Sequence, residues 1–246
     1  MPEFPILNNV KASRRLRIGV YGGTFDPLHE GHLQVALAVI DAFGLDRLLL
    51  VPAAVPPHKR GATISSPFHR VAMLALASAN LPGVSISTIE LESPERPYTF
   101  ETLAKLEQAS PDARLFFIMG ADSFRDVTMW REYRKILSDY DVIVAVRPGY
   151  LAGESASGGA AQSTTAEMSG HLPADLRHLI LDLRGGRRPS PDDLGSRHVY
   201  LTDYVSVDIS ATDVRRAAAE GRSLEGLVPP SIADYIAKYQ LYECPL

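Results

Sequence analysis

Two histidines three residues apart, His29 and His32, close the string Gly22-Gly23-Thr24-Phe25-Asp26-Pro27-Leu28, which directly follows an apolar run from Leu16 to Tyr21. At a strand-to-helix handover that spacing puts both imidazoles on one face of the first helical turn. Exposed N–H groups and the positive end of the helix dipole collect there. A Gly22-Gly23 turn lets backbone N–H groups approach an anion with no Cβ between them, and Pro27 has the fixed φ suited to a first helical turn. The chemistry this predicts is the binding of a polyphosphate. His-x-x-His without a third ligand does not make a zinc site, so no protein-bound metal is expected.

A second constellation lies far along the chain, at Ile209-Ser210-Ala211-Thr212-Asp213-Val214-Arg215. Ser210 or Thr212 is placed to cap a helix whose first turns carry Arg215 and Arg216. Hydroxyls and free helix N–H groups suit an anion, and a guanidinium a few residues on can fork onto phosphate oxygens.

The elements that must position these residues follow from periodicity. Short apolar runs at Leu16 to Tyr21, Arg47 to Val51, Val84 to Leu91, Arg114 to Met119, Asp141 to Val146 and roughly His198 to Val207 predict strands. Between them, His29 to Phe43, Pro67 to Ala79, Thr99 to Ala109 and Ser123 to Leu137 repeat apolar residues at helical spacing. Such alternation predicts an α/β fold, a Rossmann-like doubly wound parallel sheet with helices on both faces, which binds ligands at the carboxyl ends of its strands. The polar motifs GGTFDP, VPAAVPPHK, GADSF and RPG each follow a strand.

Residues 1–14 lack periodicity and read as a flexible leader to a single domain over 15–246. The stretch 150–196 is small, polar and glycine-rich, and reads as a mobile insertion whose middle, Leu172 to Leu183, forms a short helix or strand. With 246 residues, 46% of them hydrophobic, the chain can bury a full core. A net charge of -4 and a pI near 6.0 exclude a general electrostatic grip on nucleic acid or an anionic membrane. The single cysteine, Cys244, permits no intrachain disulfide. No apolar run approaches the roughly 20 residues of a membrane span, and the chain opens with no signal peptide, so a cytoplasmic location is expected.

The two constellations together resemble the nucleotidyltransferase superfamily, which carries an H-x-G-H signature after its first strand and an I-S-x-T-x-[IV]-R signature near its end. His29, Glu30, Gly31 and His32 match the first; Ile209 to Arg215 match the second, with Ala211 where a serine is frequent. The blocks between them narrow the resemblance to the nicotinate-nucleotide adenylyltransferase family. VPAAVPPHK resembles its P-x-x-P-P-H-K loop, Tyr98-Thr99 its Tyr-Thr pair at a helix start, and MGADSF its G-A-D segment. Trp130 matches its aromatic platform, and VPPSIADYIAKYQLY its closing helix. The segment SPERP before Tyr98 departs from the usual arginine, glycine and serine or threonine.

By resemblance, His29, His32, Lys59 and Arg215 would be catalytic. ATP would be held by Gly22, Gly23, Thr24, Phe25, Gly120, Asp122, Ile209, Ser210 and Thr212, with Asp122 on the adenosine ribose. Nicotinate mononucleotide would be held by Tyr98, Thr99, Trp130 and Arg147. The implied activity is transfer of the adenylyl group of ATP, accompanied by Mg²⁺, to nicotinate mononucleotide. The alternative acceptors are nicotinamide mononucleotide, phosphopantetheine and the polyol phosphates of cytidylyltransferases. The last typically need Arg-Thr-x-Gly before the Ile-Ser pair, where this chain has Val205-Ser206-Val207-Asp208. A non-catalytic nucleotide sensor is the reading from a different class. Self-association into a homo-oligomer is compatible with the sequence but encoded by no motif.

Overall fold

The histidine turn sits at a switch point of a seven-stranded, wholly parallel sheet of order β3-β2-β1-β4-β5-β7-β6. The strands are β1 (Leu16–Gly23), β2 (Arg47–Pro52), β3 (Val84–Ile86), β4 (Ala113–Gly120), β5 (Asp141–Ala145), β6 (Ile180–Asp182) and β7 (Val199–Thr202). The computed structural model describes residues 14–54, 64–93, 97–146 and 165–243. Strand order reverses between β1 and β4, and at such a reversal the loops leaving the two carboxyl ends part to form a crevice.

Period-two alternation makes each strand serve two cores. Tyr21, Leu48, Leu50, Phe116, Ile118, Ile143 and Tyr200 face one side, and Ile18, Val20, Leu115, Phe117, Met119, Val142, Val144 and Leu201 face the other. The first side is covered by α1 (Glu30–Phe43), α2 (Pro67–Ser78), α7 (Ala211–Ala219) and α8 (Pro230–Lys238). The second is covered by α3 (Thr99–Ala109), α4 (Ala121–Arg125), α5 (Tyr133–Asp139) and α6 (Thr165–Ser169). Burying each Leu, Ile, Val or Phe contributes about 1.5–3 kcal/mol, so both faces hold the sheet that carries the site.

The expected doubly wound fold is present, with local corrections. The run Val84 to Leu91 forms a strand only to Ile86. The segment Ser123 to Leu137 is not one helix: α4 ends at Arg125, a 3₁₀ turn spans Val127–Met129, and α5 begins at Tyr133. Extended backbone at Trp130 and a left-handed Glu132 (φ 56°) divide them, so Trp130 stands on a connection rather than on a helix. Helix α1 starts at Glu30 with His29 as its N-cap, which leaves Pro27 outside the first turn. Within 150–196, where a short helix or strand is expected at Leu172 to Leu183, a 3₁₀ turn at Ala174–Leu179 leads into β6, which pairs in parallel with β7, and Leu172, Leu176 and Leu183 are buried.

Candidate active site

The β1–α1 connection is shaped from within. Phe25 adopts a left-handed backbone (φ 50°), a conformation costing a residue with a Cβ roughly 1–2 kcal/mol, and its ring is 1% exposed. That ring packs edge-on to His32, with centroids 5.1 Å apart, and to Tyr21 at 5.5 Å. The strained residue therefore serves as the seat of a histidine. The two imidazoles lie against one another, centroids 3.7 Å apart and 35° from coplanar. The N–H of His29 donates to His32 Nδ1 at 3.3 Å. In the neutral ring this leaves the proton on Nε2, as a donor. His29 is buried and His32 half-buried.

Gly31 explains how the rings fit. A Cβ there would come within 3.2 Å of the His29 ring and 3.6 Å of the Ile209 carbonyl. The H-x-G-H turn and the Ile-Ser motif, nearly 180 residues apart in sequence, are thus in direct apposition. Ser210, not Thr212, is the N-cap of α7: its hydroxyl accepts from the N–H of Asp213 at 3.1 Å, and Asp213 returns a carboxylate to the N–H of Ser210 at 3.2 Å. That reciprocal box holds the Asp213 carboxyl below the usual carboxylate range, chiefly through the Ser210 hydroxyl. Thr212 is exposed on the first turn and accepts from Arg215 Nη2 at 3.1 Å. Arg215 Nη1 reaches back to the Asp26 carbonyl at 2.7 Å.

Among the described residues Arg215 forms no ion pair; its partners are a carbonyl and a hydroxyl. Both partners are uncharged.

On the other side of the switch point, Gly120 is the N-cap of α4 and Asp122 lies exposed in the first turn, its Oδ1 accepting from the N–H of Ser123 at 2.9 Å. A Cβ on Gly120 would stand 2.5 Å from that oxygen, so the carboxylate folds over a position only glycine leaves open. Tyr98 is the N-cap of α3, with Thr99 its first residue. The Arg131 guanidinium lies 4.8 Å from the centre of the half-exposed Tyr98 ring, which brings the connection bearing Trp130 to the start of α3. Phe117 joins the two halves: its ring is 6.3 Å from that of Trp130 and 3.4 Å from where a Cβ of Gly22 would lie. Gly23 has the Phe25 ring in the corresponding place, and Thr24 offers its carbonyl to Arg70. Lys59 and Arg147 lie outside the described residues.

Three residues that the motifs did not single out are built into this end of the sheet. Asp26 is 2% exposed, and its carboxylate accepts from the N–H of Ser65 at 3.2 Å and the hydroxyl of Tyr242 at 2.8 Å. Arg70, 1% exposed, donates to the carbonyls of Thr24 (2.9 Å), Ala53 (2.8 Å) and Ser65 (3.2 Å). Burial lowers its pKa from the ordinary arginine value. One signal was available in the sequence: Arg70, Met73 and Leu74 fall at i, i+3 and i+4, a charge on the apolar face of a helix.

Comparisons with known proteins speak to family and fold. A family model described as cytidylyltransferase-like matches residues 20–217. A probable nicotinate-nucleotide adenylyltransferase of Pelobacter propionicus is 37% identical over 232 residues, 94% of this chain and 100% of that protein. Another, of Desulfatibacillum aliphaticivorans, is 35% identical over 92% of this chain and 100% of its own length. Among solved structures, the nicotinic acid mononucleotide adenylyltransferase of Plasmodium falciparum, complexed with NaAD, superposes with a TM-score of 0.66 at 20% identity, covering 92% of this chain and 97% of that one. The same enzyme complexed with APC gives a TM-score of 0.66 at 18% identity. At those identities the structures speak to the fold, while the sequence matches reach further: the chain belongs to the cytidylyltransferase-like family and, within it, to the nicotinate-nucleotide adenylyltransferases.

Proposed function

We propose that this chain transfers the adenylyl group of ATP to nicotinate mononucleotide, giving deamido-NAD and pyrophosphate, in NAD biosynthesis. The observation that carries the reading is the convergence of the two phosphate-type motifs, with Arg215 Nη1 2.7 Å from the Asp26 carbonyl and the paired imidazoles at the head of α1. The names of the relatives above supply the acceptor.

In the reaction a phosphate oxygen of the mononucleotide forms a bond to the α-phosphorus of ATP as the bond from that phosphorus to the bridging oxygen breaks. The electron pair leaves with pyrophosphate. The nucleophile is already ionised at neutral pH, so no general base is required and positioning with charge stabilisation does the work. His32 offers Nε2–H to a phosphate oxygen, and His29, packed against it, fixes its orientation. Arg215 and Thr212 receive the departing pyrophosphate. Asp122 takes the ribose of ATP, and Tyr98, Thr99 and Trp130 receive the pyridine, whose electron-poor ring suits an indole face. Mg²⁺ bound with ATP would offset charge on its phosphates; the imidazole, hydroxyl and guanidinium groups around the turn are donors suited to the phosphates themselves, not ligands for a cation. Chelation with EDTA is expected to stop turnover.

The deciding experiment measures pyrophosphate release from ATP and Mg²⁺ with nicotinate mononucleotide, beside nicotinamide mononucleotide and phosphopantetheine. Preference for the acid is the expected result. Activity on another acceptor alone would overturn the substrate assignment and keep the transfer chemistry.

A further inference from the structure

The C-terminal segment reaches back into the candidate active site. Helix α8 is anchored on α2, where Tyr235 Oη lies 2.9 Å from His69 Nδ1, and Ile232 and Ile236 are buried in the core. Beyond it, Gln240 and Tyr242 both take left-handed backbone conformations, φ 50° and 69°, which non-glycine residues adopt only where their surroundings impose them. The result is that the Tyr242 phenol turns inward and donates to Asp26 Oδ1 at 2.8 Å. The other carboxylate oxygen accepts from the N–H of Ser65, whose own carbonyl is held by Arg70. Asp26 stands three residues before His29, and its carbonyl is the acceptor for Arg215.

A buried carboxylate satisfied by neutral donors leaves nearby guanidinium groups available for other anions. Removing the phenol hydroxyl leaves the carboxylate short of a donor. Arg70, whose charge already acts on Asp26, is fixed by three carbonyls, so Arg215, bonded to the same residue's carbonyl, is the cation placed to move and compensate. An Arg215 drawn onto Asp26 is lost to phosphate. We propose that Tyr242 is a positioning residue for adenylyl transfer, acting through Asp26 to keep Arg215 and the histidine turn in their reactive arrangement. The proposal rests on the adenylyl-transfer reading above.

Its test begins with Tyr242→Phe, which keeps the ring and removes only the donor, assayed well below each variant's unfolding temperature. The expected result is a fall in kcat of about tenfold to a hundredfold, the scale on which misplacing a reacting group acts, with the KM for ATP changed less than about threefold. Because the hydroxyl acts through Arg215, the same substitution in an Arg215→Ala background should alter kcat by less than about twofold. An unchanged kcat, or the same factor in both backgrounds, overturns the proposal. A second measurement does not depend on the variant folding: 3-fluorotyrosine is placed at 242 of the otherwise intact chain and its ¹⁹F resonance followed as a non-hydrolysable ATP analogue is added. A shift on binding supports the coupling, and an unmoved resonance at saturation overturns it. Wild type inactive on nicotinate mononucleotide would overturn the acceptor assignment alone, and the fluorine measurement would still decide the coupling.

Discussion

The two ends of the sheet use arginine in opposite ways. At the amino ends of the strands, Arg114 grips the fully buried Asp141 with two nitrogens and reaches the carbonyls of Leu194 and Ser196. Asp141 also lies within 3.4 Å of the Tyr200 hydroxyl and the N–H of His198. Arg114 and Asp141 there are each other's countercharge, and the pairing pushes the pKa of Arg114 up. At the carboxyl ends, Arg70 and Arg215 bond to carbonyls and a hydroxyl, and among the described residues neither forms an ion pair. The first arrangement closes the fold; in the second, the buried Arg70 ties together the carbonyls of Thr24, Ala53 and Ser65, and the half-buried Arg215 holds one carbonyl and one hydroxyl. Arg114 with its carboxylate partner and Arg215 with its neutral ones mark the contrast.

Substitutions at the closed end should cost stability and spare chemistry. Asp141→Ala strands a guanidinium beside a buried site and is expected to destabilise the protein by about 3–5 kcal/mol, read from urea unfolding, while kcat of the folded fraction stays near wild type. An equal loss of kcat would erase the division between the two ends. His32→Ala should behave in the reverse sense: kcat lower by about 10²–10³-fold, the scale for removing one preorganised donor, with the urea midpoint close to wild type. Gly120→Ala sharpens the contrast further, since its Cβ would displace the Asp122 carboxylate and not the core. The KM for ATP should rise several-fold, with unfolding shifted by less than about 1 kcal/mol.

The smallest effect belongs to the cap of α7. Ser210→Ala removes an N-cap hydroxyl and is expected to cost about 1 kcal/mol. Because the folded protein holds the Asp213 carboxyl below its ordinary range, the cap's contribution through Asp213 is present above that range and is lost as pH falls through the folded value. Stability curves of wild type and Asp213→Asn should therefore converge in acid; curves that stay parallel would remove Asp213 from the cap. The Asp213 side chain is 42% exposed, and solvent screening keeps the difference small.

Periodicity revealed most of the architecture because buried parallel strands leave unbroken apolar runs such as Leu115 to Met119, and their amphipathic helices repeat at three and four. The same reasoning merged α4 and α5. Apolar spacing continues through Val127 to Leu137 even though Trp130 is extended and Glu132 is left-handed, and backbone reversals of that kind carry no hydrophobic signature. The paired histidines, Ser210 and Arg215 were legible as motifs since their chemistry is local in sequence. The network of Asp26, Arg70 and Tyr242 was not, because a hydrogen bond spanning 216 residues leaves no spacing to read. For Arg70 a charge in the apolar stripe of α2 was the available sign; for Tyr242 only the backbone turn beyond α8 explains why a tyrosine near the end of the chain faces inward.

Among the described residues, the outermost strands, β3 and β6, are three residues each, flanking a sheet whose inner strands run to eight. A neighbouring chain seeking to extend the sheet would find few ladder positions at either margin before the strand ends. Brevity at the edges thus guards this molecule against the intermolecular strand pairing that long open parallel sheets invite, and lengthening β6 would raise its tendency to aggregate.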